Sequence, residues 1–361
     1  MKHSAIALLL AICLCMNGCS ALLSGEYIWE QDHNIPSAPD SSQDIAASNY
    51  AQLVKVISDF IEEGTEVFTI SVAHYDRTVL ERDVSQAVDE VRSTNAIAAY
   101  AVSDVASQIG TVGGETVLVV QVQYLHDQNE INKIINVADN ESAKEAIGNA
   151  LNACSSGIVL HIESYQEEDF VLVAELYAMT YPQYVIESPL VSVNLYPDSG
   201  DSRVLEIRFN YVNSRDVLRD MQNQVLTVFE ASINMISLAG TTKDKYQQMY
   251  VLTMERFQKY TIETSLTPAY SLLLHGVGDA KAFAILYAAM CHEAGLEGQV
   301  VVGTRGGKLW YWNIINIDGA YYHVDLLRCK SDGAFRLLTD KIINEGYVWD
   351  FSAYPACGGM Q

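Results

Sequence analysis

The residues of this chain whose types could support chemistry are concentrated between residues 276 and 326. His323 and Asp325 lie two positions apart in a strand-like segment, so alternation places both side chains on one face of the predicted strand. A His–Asp couple without a nucleophile could act as a general base on water. Asp279 precedes a run with helical spacing, where we interpret it as an N-cap rather than as an acid catalyst.

Aromatic residues accompany this couple, namely Trp310, Tyr311, Trp312 and Tyr322. Such rings could line a groove that binds a glycan or a peptide by stacking. Alternation sends Trp310 and Trp312 to one face of their strand and Tyr311 to the other, so the rings cannot all line one groove. The alternative is that Trp310 plugs a cleft. The predicted binding residues are Trp310, Trp312, Tyr322 and Asp279.

A predicted helix positions the first of these side chains. Gly276 and Gly278 supply a flexible turn before Asp279. Apolar residues then recur with helical spacing from Ala280 to Ala294. Gly295 follows in the usual position for a glycine that ends a helix. The pattern therefore predicts a buried helix over this stretch.

Two strands follow the helix, from Leu309 to Ile317 and from Ala320 to Leu326. The Asp318-Gly319 pair between them is a hairpin signal. This order of parts resembles the core of the transglutaminase-like superfamily, which has a papain-like fold. The resemblance covers roughly Thr267 to Leu326.

Two short motifs add to this resemblance, the Trp312-Asn313 pair and the Tyr-Tyr-His-Val-Asp segment that ends at Asp325. The resemblance implies an α+β fold in which a central helix packs on an antiparallel sheet. In that family a nucleophilic Cys lies at the helix N-terminus, a His comes from the next strand and an Asp from the strand after it.

The resemblance places the family's three catalytic positions on Ala280, Trp310 and Asp325. The Cys falls on Ala280, counting back from the glycine that ends the helix, and the His falls on Trp310, two residues before the Trp-Asn pair. Only the Asp is kept. Because the chemistry needs a thiolate and an imidazole that carries the proton, we expect no catalytic residues here. We interpret the chain as a natural pseudo-enzyme.

Composition limits the class of protein. The chain has 361 residues, 49% of them hydrophobic, which is enough for two or three folded domains. Its formal net charge is −23, which disfavours nucleic acid and anionic membrane surfaces as partners. We expect a soluble extracellular protein with a solvated acidic surface.

The first nineteen residues resemble a bacterial lipoprotein signal. A short basic head, Lys2 and His3, precedes an apolar run from Ala5 to Leu14 that is too short to span a bilayer. Met-Asn-Gly-Cys at residues 16–19 resembles a lipobox, so we expect lipidation of Cys19 and anchoring to the outer face of a bacterial membrane. A cleaved secretory peptide and an uncleaved anchor are the alternatives. Residues 20–48, rich in Ser, Pro, Asp and Gln, are predicted to be a flexible tether.

The middle of the chain contains a weak internal repeat. We predict two small α–β–α–β–β modules, residues 49–124 and residues 143–212. Residues 213–361 would form the transglutaminase-like domain, with helices from 213 to 260 around the central helix. The histidines of the modules lack a companion ligand at metal spacing, so we expect no metal and no cofactor.

Four cysteines follow Cys19, and the export signal makes disulfides permissible. Cys329 and Cys357 flank the C-terminal segment, and a bridge between them would close it onto the preceding strand. The sequence leaves the connectivity open. Cys154 and Cys291 are interpreted as buried thiols.

Three functional hypotheses remain. The first is a cell-surface lipoprotein whose transglutaminase-like domain has lost catalysis and serves binding or scaffolding. Active family members act on protein Gln side chains or peptide bonds, so the resemblance implies a peptide, protein or cell-wall ligand. The second is a divergent hydrolase that uses Asp325 and His323. In the third, the C-terminal domain is structural and the two modules bind a partner.

Overall fold

A computed structural model describes residues 45–238 and 240–358. The fold is α+β, as predicted, with one three-stranded sheet, two four-stranded sheets and one two-stranded ribbon in this part of the chain. No helix within the described ranges has the length and apolar character needed to cross a membrane. The predicted signal segment with Cys19, most of the tether and the last three residues lie outside the described residues.

The first module is built on a three-stranded antiparallel sheet with strand order β1-β3-β2. Helix α1 buries Leu53, Ile57 and Ile61, whose spacing of four places them on one helix face. The elements of this module are α1 (Tyr50–Glu62), β1 (Val67–Ser71), α2 (Leu80–Thr94), α3 (Ala96–Ala101), β2 (Val102–Val112) and β3 (Glu115–Tyr124).

The predicted tether extends too far at its C-terminal end. Ala46 forms a parallel bridge with Ser71, and the Ala47 N–H donates to the Ser71 carbonyl at 2.9 Å. Ala47 is buried against the first module. Residues 45–47 therefore belong to the folded body, because their backbone groups pair with the edge of β1.

The second module has a four-stranded sheet with strand order β4-β5-β7-β6, in which β4 runs parallel to β5. Its predicted start at residue 143 is too late. Strand β4 escaped the sequence analysis because it is largely exposed and shows no alternation. The elements of this region are α4 (Gln128–Ile131), β4 (Ile135–Asp139), α5 (Asn140–Asn152), β5 (Gly157–Ser164), α6 (Phe170–Thr180), β6 (Leu190–Tyr196) and β7 (Arg203–Asn210).

The two modules share an order of elements. Strands β1, β2 and β3 pair in the order β1-β3-β2, and β5, β6 and β7 pair in the order β5-β7-β6, all antiparallel. The correspondence is interrupted by helix α3, which lies between α2 and β2, whereas β6 follows α6 without an intervening helix. The proposed sequence repeat between the modules stays a prediction.

The C-terminal domain has a four-stranded antiparallel sheet with strand order β12-β11-β10-β13. Its elements are α7 (Arg215–Ser237), α8 (Thr242–Arg256), β8 (Lys259–Tyr260), α9 (Pro268–His275), β9 (Val277–Gly278), α10 (Ala280–Glu293), β10 (Gly298–Arg305), β11 (Lys308–Ile317), β12 (Ala320–Val324), α11 (Leu326–Asp332), α12 (Asp340–Ile343) and β13 (Tyr347–Trp349).

Helix α10 is the buried centre of this domain. It begins after Asp279, whose side chain accepts the Ala282 N–H at 2.9 Å, and it ends before Gly295, which has φ +68°. Ten of its fourteen residues are buried, because α7, α8, α9 and the sheet enclose it. The predicted helix, its N-cap and its terminal glycine are confirmed.

The hairpin between β11 and β12 places different residues on its two faces. Asp318 and Gly319 both have positive φ, as the predicted tight turn requires. Asn313 and Ile315 face α10, while Trp312 and Ile314 pack in a second hydrophobic core on the other face. This second core is completed by the segment after α11.

Candidate functional site

We call Ala280, Trp310 and Asp325 the remnant site, because the resemblance assigns the three catalytic positions to them. Ala280 is the first residue of α10 and is 6% exposed. It lines a narrow cavity of about 160 Å³ with Asn313 and Asp325, too narrow to admit a water molecule. A methyl group therefore stands at the helix N-terminus, where a thiolate would be stabilised by the helix dipole.

The carboxylate of Asp325 is 2% exposed and accepts four hydrogen bonds. One oxygen, Oδ2, accepts from Trp310 Nε1 at 2.8 Å, Tyr347 Oη at 2.6 Å and Arg305 Nη1 at 3.2 Å. The other, Oδ1, accepts the Arg328 N–H at 3.1 Å and so caps α11. Because an ionised carboxylate offers about four acceptor positions, Asp325 has little capacity left for a substrate or an imidazole.

Trp310 takes the position beside Asp325 that the resemblance assigns to the His. Its indole N–H can only donate a hydrogen bond, so it cannot carry a proton between groups. The ring lies 6.4 Å from the Tyr260 ring at an interplanar angle of 26°, and the Arg305 guanidinium lies 5.1 Å from its centroid. Trp310 is half-buried, which agrees better with a plug than with a free binding platform.

His323 lies apart from Asp325 and has different partners. Its Nδ1 accepts the Trp312 indole N–H at 2.9 Å, and its Nε2 lies 2.8 Å from Asp340 Oδ1. Because Trp312 can only donate, Nδ1 is unprotonated and Nε2 carries the hydrogen that Asp340 accepts. Burial lowers the pKa of His323, and the Asp340 carboxylate partly opposes this effect. The imidazole is fully buried and has no free lone pair, so the His–Asp general base does not fit this geometry.

The predicted binding residues have separate locations. Trp312 is 1% exposed in the second core, and Asp279 is 9% exposed. Asp279 also accepts a hydrogen bond from the Thr264 hydroxyl, in addition to its N-cap bond. Tyr322 is partly buried and packs against the hydrophobic core around α10, which we call the main core. Only Trp310 combines partial exposure with a neighbouring exposed ring, that of Tyr260.

The predicted bridge between Cys329 and Cys357 is absent, and both are free buried thiols. Cys329 packs in the main core around α10, whereas Cys357 packs in the second core on the other face of the sheet. The two Sγ atoms therefore lie on opposite faces of the sheet, where they cannot form a bridge. Burial raises the pKa of Cys329 to about 11 and that of Cys357 to about 12, so both thiols stay protonated at neutral pH.

We call His323, Asp340 and Cys357 the buried trio. Among the described residues, this is the set of three potential ligands whose donor atoms lie within 4.8 Å of one another. A metal on His323 Nε2 would require Nδ1 to carry the hydrogen, and that hydrogen would face the Trp312 N–H. The hydrogen bonding of the imidazole therefore does not fit a metal.

Sequence reasoning missed Arg305 and Tyr347, which bind Asp325, and Asp340, which binds His323. Arg305 ends β10, and Tyr347 begins the three-residue β13, which is too short to give a periodic pattern. Asp340 is seventeen residues from His323, beyond any local signal. The Trp310–Asp325 contact, by contrast, follows the positions that the resemblance assigns.

A groove of about 980 Å³ lies between the two modules. It is lined by Tyr100 and His126, whose rings stack with centroids 4.3 Å apart, and by Glu206 and Arg208 of β7. Glu206 is 9% exposed and accepts both bonds of Arg208, at 2.8 and 3.0 Å. This mixed polar and aromatic groove keeps the hypothesis of partner binding by the modules open.

Comparisons with known proteins do not identify a family for this chain. No family model and no curated protein matches the chain. A solved structure described as a TGase has a TM-score of 0.26 and 11% identity, over 47% of this chain and 50% of that one. A candidate protease from Parabacteroides distasonis ATCC 8503 has a TM-score of 0.24 and 8% identity, over 61% of this chain and 35% of that one. The chain thus spans half or less of either structure, and TM-scores this low do not establish a shared fold.

Proposed function

We propose that this chain is a non-catalytic binding protein built around a closed transglutaminase-like site. The observation that carries the proposal is the carboxylate of Asp325, whose acceptor positions are occupied by Trp310, Tyr347, Arg305 and a backbone N–H. A catalytic Asp must orient an imidazole, and here a donor-only indole takes that place. Ala280 supplies no nucleophile.

The proposed binding surface begins beside the remnant site, where the Tyr260 ring stacks on that of Trp310. Tyr260 ends β8 and is 43% exposed, and Ile262 and Leu266, 93% and 59% exposed, lie on the loop between β8 and α9. The Thr261 N–H of this loop donates to the Gly278 carbonyl, so the loop lies against the approach to α10. Exposed apolar side chains grouped in this way are typical of a protein or peptide contact. A peptide or protein ligand is therefore proposed, in agreement with the ligand class that the resemblance implies.

The proposed location is the outer face of a bacterial membrane, with Cys19 as the lipid anchor. Support comes only from the lipobox-like sequence. Labelling of cells with radioactive palmitate is expected to mark the wild-type chain and not Cys19→Ala. Equal labelling of both would remove the anchor from the proposal.

The loss of catalysis is tested by turnover. The full-length chain is incubated with a glutamine-containing peptide and a primary amine, and ammonia release, amine incorporation and peptide cleavage are measured. We expect no turnover above a protein-free blank at any pH from 5 to 9. Turnover that disappears in Asp325→Asn or His323→Gln would overturn the proposal. Lys55→Gln, at an exposed helix position far from the remnant site in sequence, serves as the control.

The binding surface is tested with an unfolded polypeptide, reduced and carboxymethylated casein, as the probe. We expect Ile262→Lys to weaken binding at least fivefold, because it places a charge in an apolar contact. Leu238→Lys, at a site 87% exposed after α7, is the matched control and should leave binding unchanged. No casein binding by the wild-type chain, or equal weakening by both variants, would contradict this surface.

A further inference from the structure

The segment after α11 covers the second core of the C-terminal domain. We call residues 338–357 the C-terminal strap. Leu338, Ile343, Tyr347, Trp349 and Cys357 of the strap pack against Trp312 and Ile314 of β11. The strap also contains β13, which pairs with β10 at the edge of the sheet. The face of β11 and β12 opposite α10 thus depends on the strap for its burial.

His323 connects the sheet to both ends of the strap. Its backbone exchanges two hydrogen bonds with Leu338, at 2.9 and 3.0 Å. Its imidazole donates to Asp340, whose other oxygen accepts the Cys357 N–H at 2.9 Å. The Asp340 N–H in turn donates to the Cys357 carbonyl at 2.7 Å. The neutral imidazole of His323 therefore binds Asp340, which in turn joins the start of the strap to its end at Cys357.

The geometry around the ring suits only the neutral imidazole. Trp312 from β11 donates to Nδ1, and Trp349 of the strap lies with its ring centroid 4.9 Å from that of His323. The titratable groups that face the ring are Asp340 from α12 and Cys357 from the strap, and the Cys357 thiol stays neutral. Protonation adds a hydrogen at Nδ1, so two N–H groups would oppose each other at 2.9 Å.

We propose that His323 is an acid-sensitive latch, which holds the C-terminal strap on the sheet when neutral and loosens the strap when it takes up a proton. The proton binds Nδ1, and the Trp312 hydrogen bond breaks as Nδ1 becomes a donor. The imidazolium then keeps only the Asp340 contact within a core of aromatic rings. The strap opens more often as the pH falls.

The size of the effect follows from linkage. In the open strap the imidazole is solvated and takes its ordinary pKa of 6.5. In the closed strap burial lowers that pKa, so the open form binds the proton first as the pH falls through 6.5. Opening is therefore expected to become more favourable between pH 7.5 and pH 5.5, by no more than about tenfold, the limit reached if the closed form takes up no proton.

The test is hydrogen exchange of the full-length chain, followed by mass spectrometry of peptides from the strap and corrected for intrinsic exchange rates. We expect protection of the strap to fall at least threefold, and by no more than about tenfold, between pH 7.5 and pH 5.5 in the wild type. His323→Gln should change less than twofold, because its amide can donate to Asp340 and accept from Trp312 but does not titrate. Equal falls in both proteins, or no fall in the wild type, would overturn the proposal.

Two further measurements keep the test decisive if His323→Gln folds poorly. Nitrogen NMR of the imidazole in the wild-type chain should show a neutral ring at pH 7, protonated at Nε2. Asp340→Asn removes the anion that favours the imidazolium in the closed strap and leaves the pKa of the open strap unchanged. The fall in protection should therefore begin at the same pH as in the wild type and be larger by pH 5.5. An imidazolium at pH 7, or a smaller fall in Asp340→Asn than in the wild type, would contradict the latch.

Discussion

The remnant site and the buried trio each share a different feature with a Cys–His–Asp arrangement. The remnant site has the places that the resemblance assigns to a triad, but Ala280 and Trp310 supply neither a nucleophile nor a proton carrier. The buried trio has the residue types Cys, His and Asp, yet its histidine is fully buried and its lone pair is used by Trp312. The remnant site therefore has the assigned positions without the residue types, and the buried trio has the residue types without an accessible imidazole.

The difference also concerns charge. Asp325 is a buried carboxylate compensated by the Arg305 guanidinium and by three uncharged donors. His323 is a neutral ring beside Asp340, whose side chain is 30% exposed. Removing a donor from Asp325 therefore leaves a buried charge less compensated. Changes at His323 should instead alter mainly how the stability depends on pH. The two regions should respond differently to mutation.

The largest expected effect is on the second core. Trp312→Ala should lower the free energy of unfolding by about 4 kcal/mol, because it removes a fully buried ring and the donor to His323. Trp310→Ala is the matched variant at the remnant site and should cost about 2–3 kcal/mol, because it removes a half-buried ring and one donor to the buried Asp325 carboxylate. Urea unfolding monitored by circular dichroism measures both. Equal losses would show that the two rings are equally structural.

Restoring the missing residue types tests the positions of the remnant site. Ala280→Cys combined with Trp310→His should give a thiol that reacts with iodoacetamide about tenfold faster at pH 7 than Ala280→Cys alone. The helix N-terminus and an adjacent imidazole both favour the thiolate. Alkylation at residue 280 is followed by mass spectrometry. Equal rates would mean that residue 310 does not lie where the resemblance places the His.

The pH dependence of global stability should come partly from the buried trio. Burial lowers the pKa of His323 from 6.5, so its stabilising contribution is complete above pH 6.5 and is lost as the pH falls below it. Between pH 7.5 and pH 5.5 the wild type should lose about 1 kcal/mol more than His323→Gln. Thermal unfolding at several pH values measures the difference. Parallel pH curves would show that His323 does not titrate on unfolding.

The smallest effect is expected for the thiols. Cys154, Cys291, Cys329 and Cys357 are buried, and burial raises the pKa of each. In the native chain at pH 8 we expect no alkylation of these four within an hour, and complete alkylation in denaturant without a reductant. Mass spectrometry locates the label. A fragment in which Cys329 and Cys357 remain linked would restore the predicted bridge.

The predictable features came from local patterns. Helix α10, its Asp279 cap and the Asp318-Gly319 turn depend on residues close in sequence, and all are where the pattern placed them. The resemblance likewise placed its Cys position on Ala280, counting back from Gly295, and its His position on Trp310, two residues before the Trp-Asn pair.

The features that the sequence did not reveal depend on distant segments. Arg305 and Tyr347 reach Asp325 from strands β10 and β13, and β13 is too short for alternation to be visible. The tautomer of His323 follows from Trp312, a contact between two strands. Cys329 and Cys357 lie in different cores, a separation that depends on how the strap folds over the sheet.

The unfolding free energy of Asp325→Asn, compared with that of the wild type at pH 7, tests most directly whether Asp325 is structural rather than catalytic. The substitution removes the buried charge and leaves Arg305 and Tyr347 without their carboxylate partner. We expect a loss of about 2 kcal/mol, because Tyr347 and Trp310 lose a charged acceptor, whereas the partly exposed Arg305 guanidinium can still be solvated. A change below about 0.5 kcal/mol, as at an unstrained surface position, would contradict the closed site and make Asp325 a residue free for function.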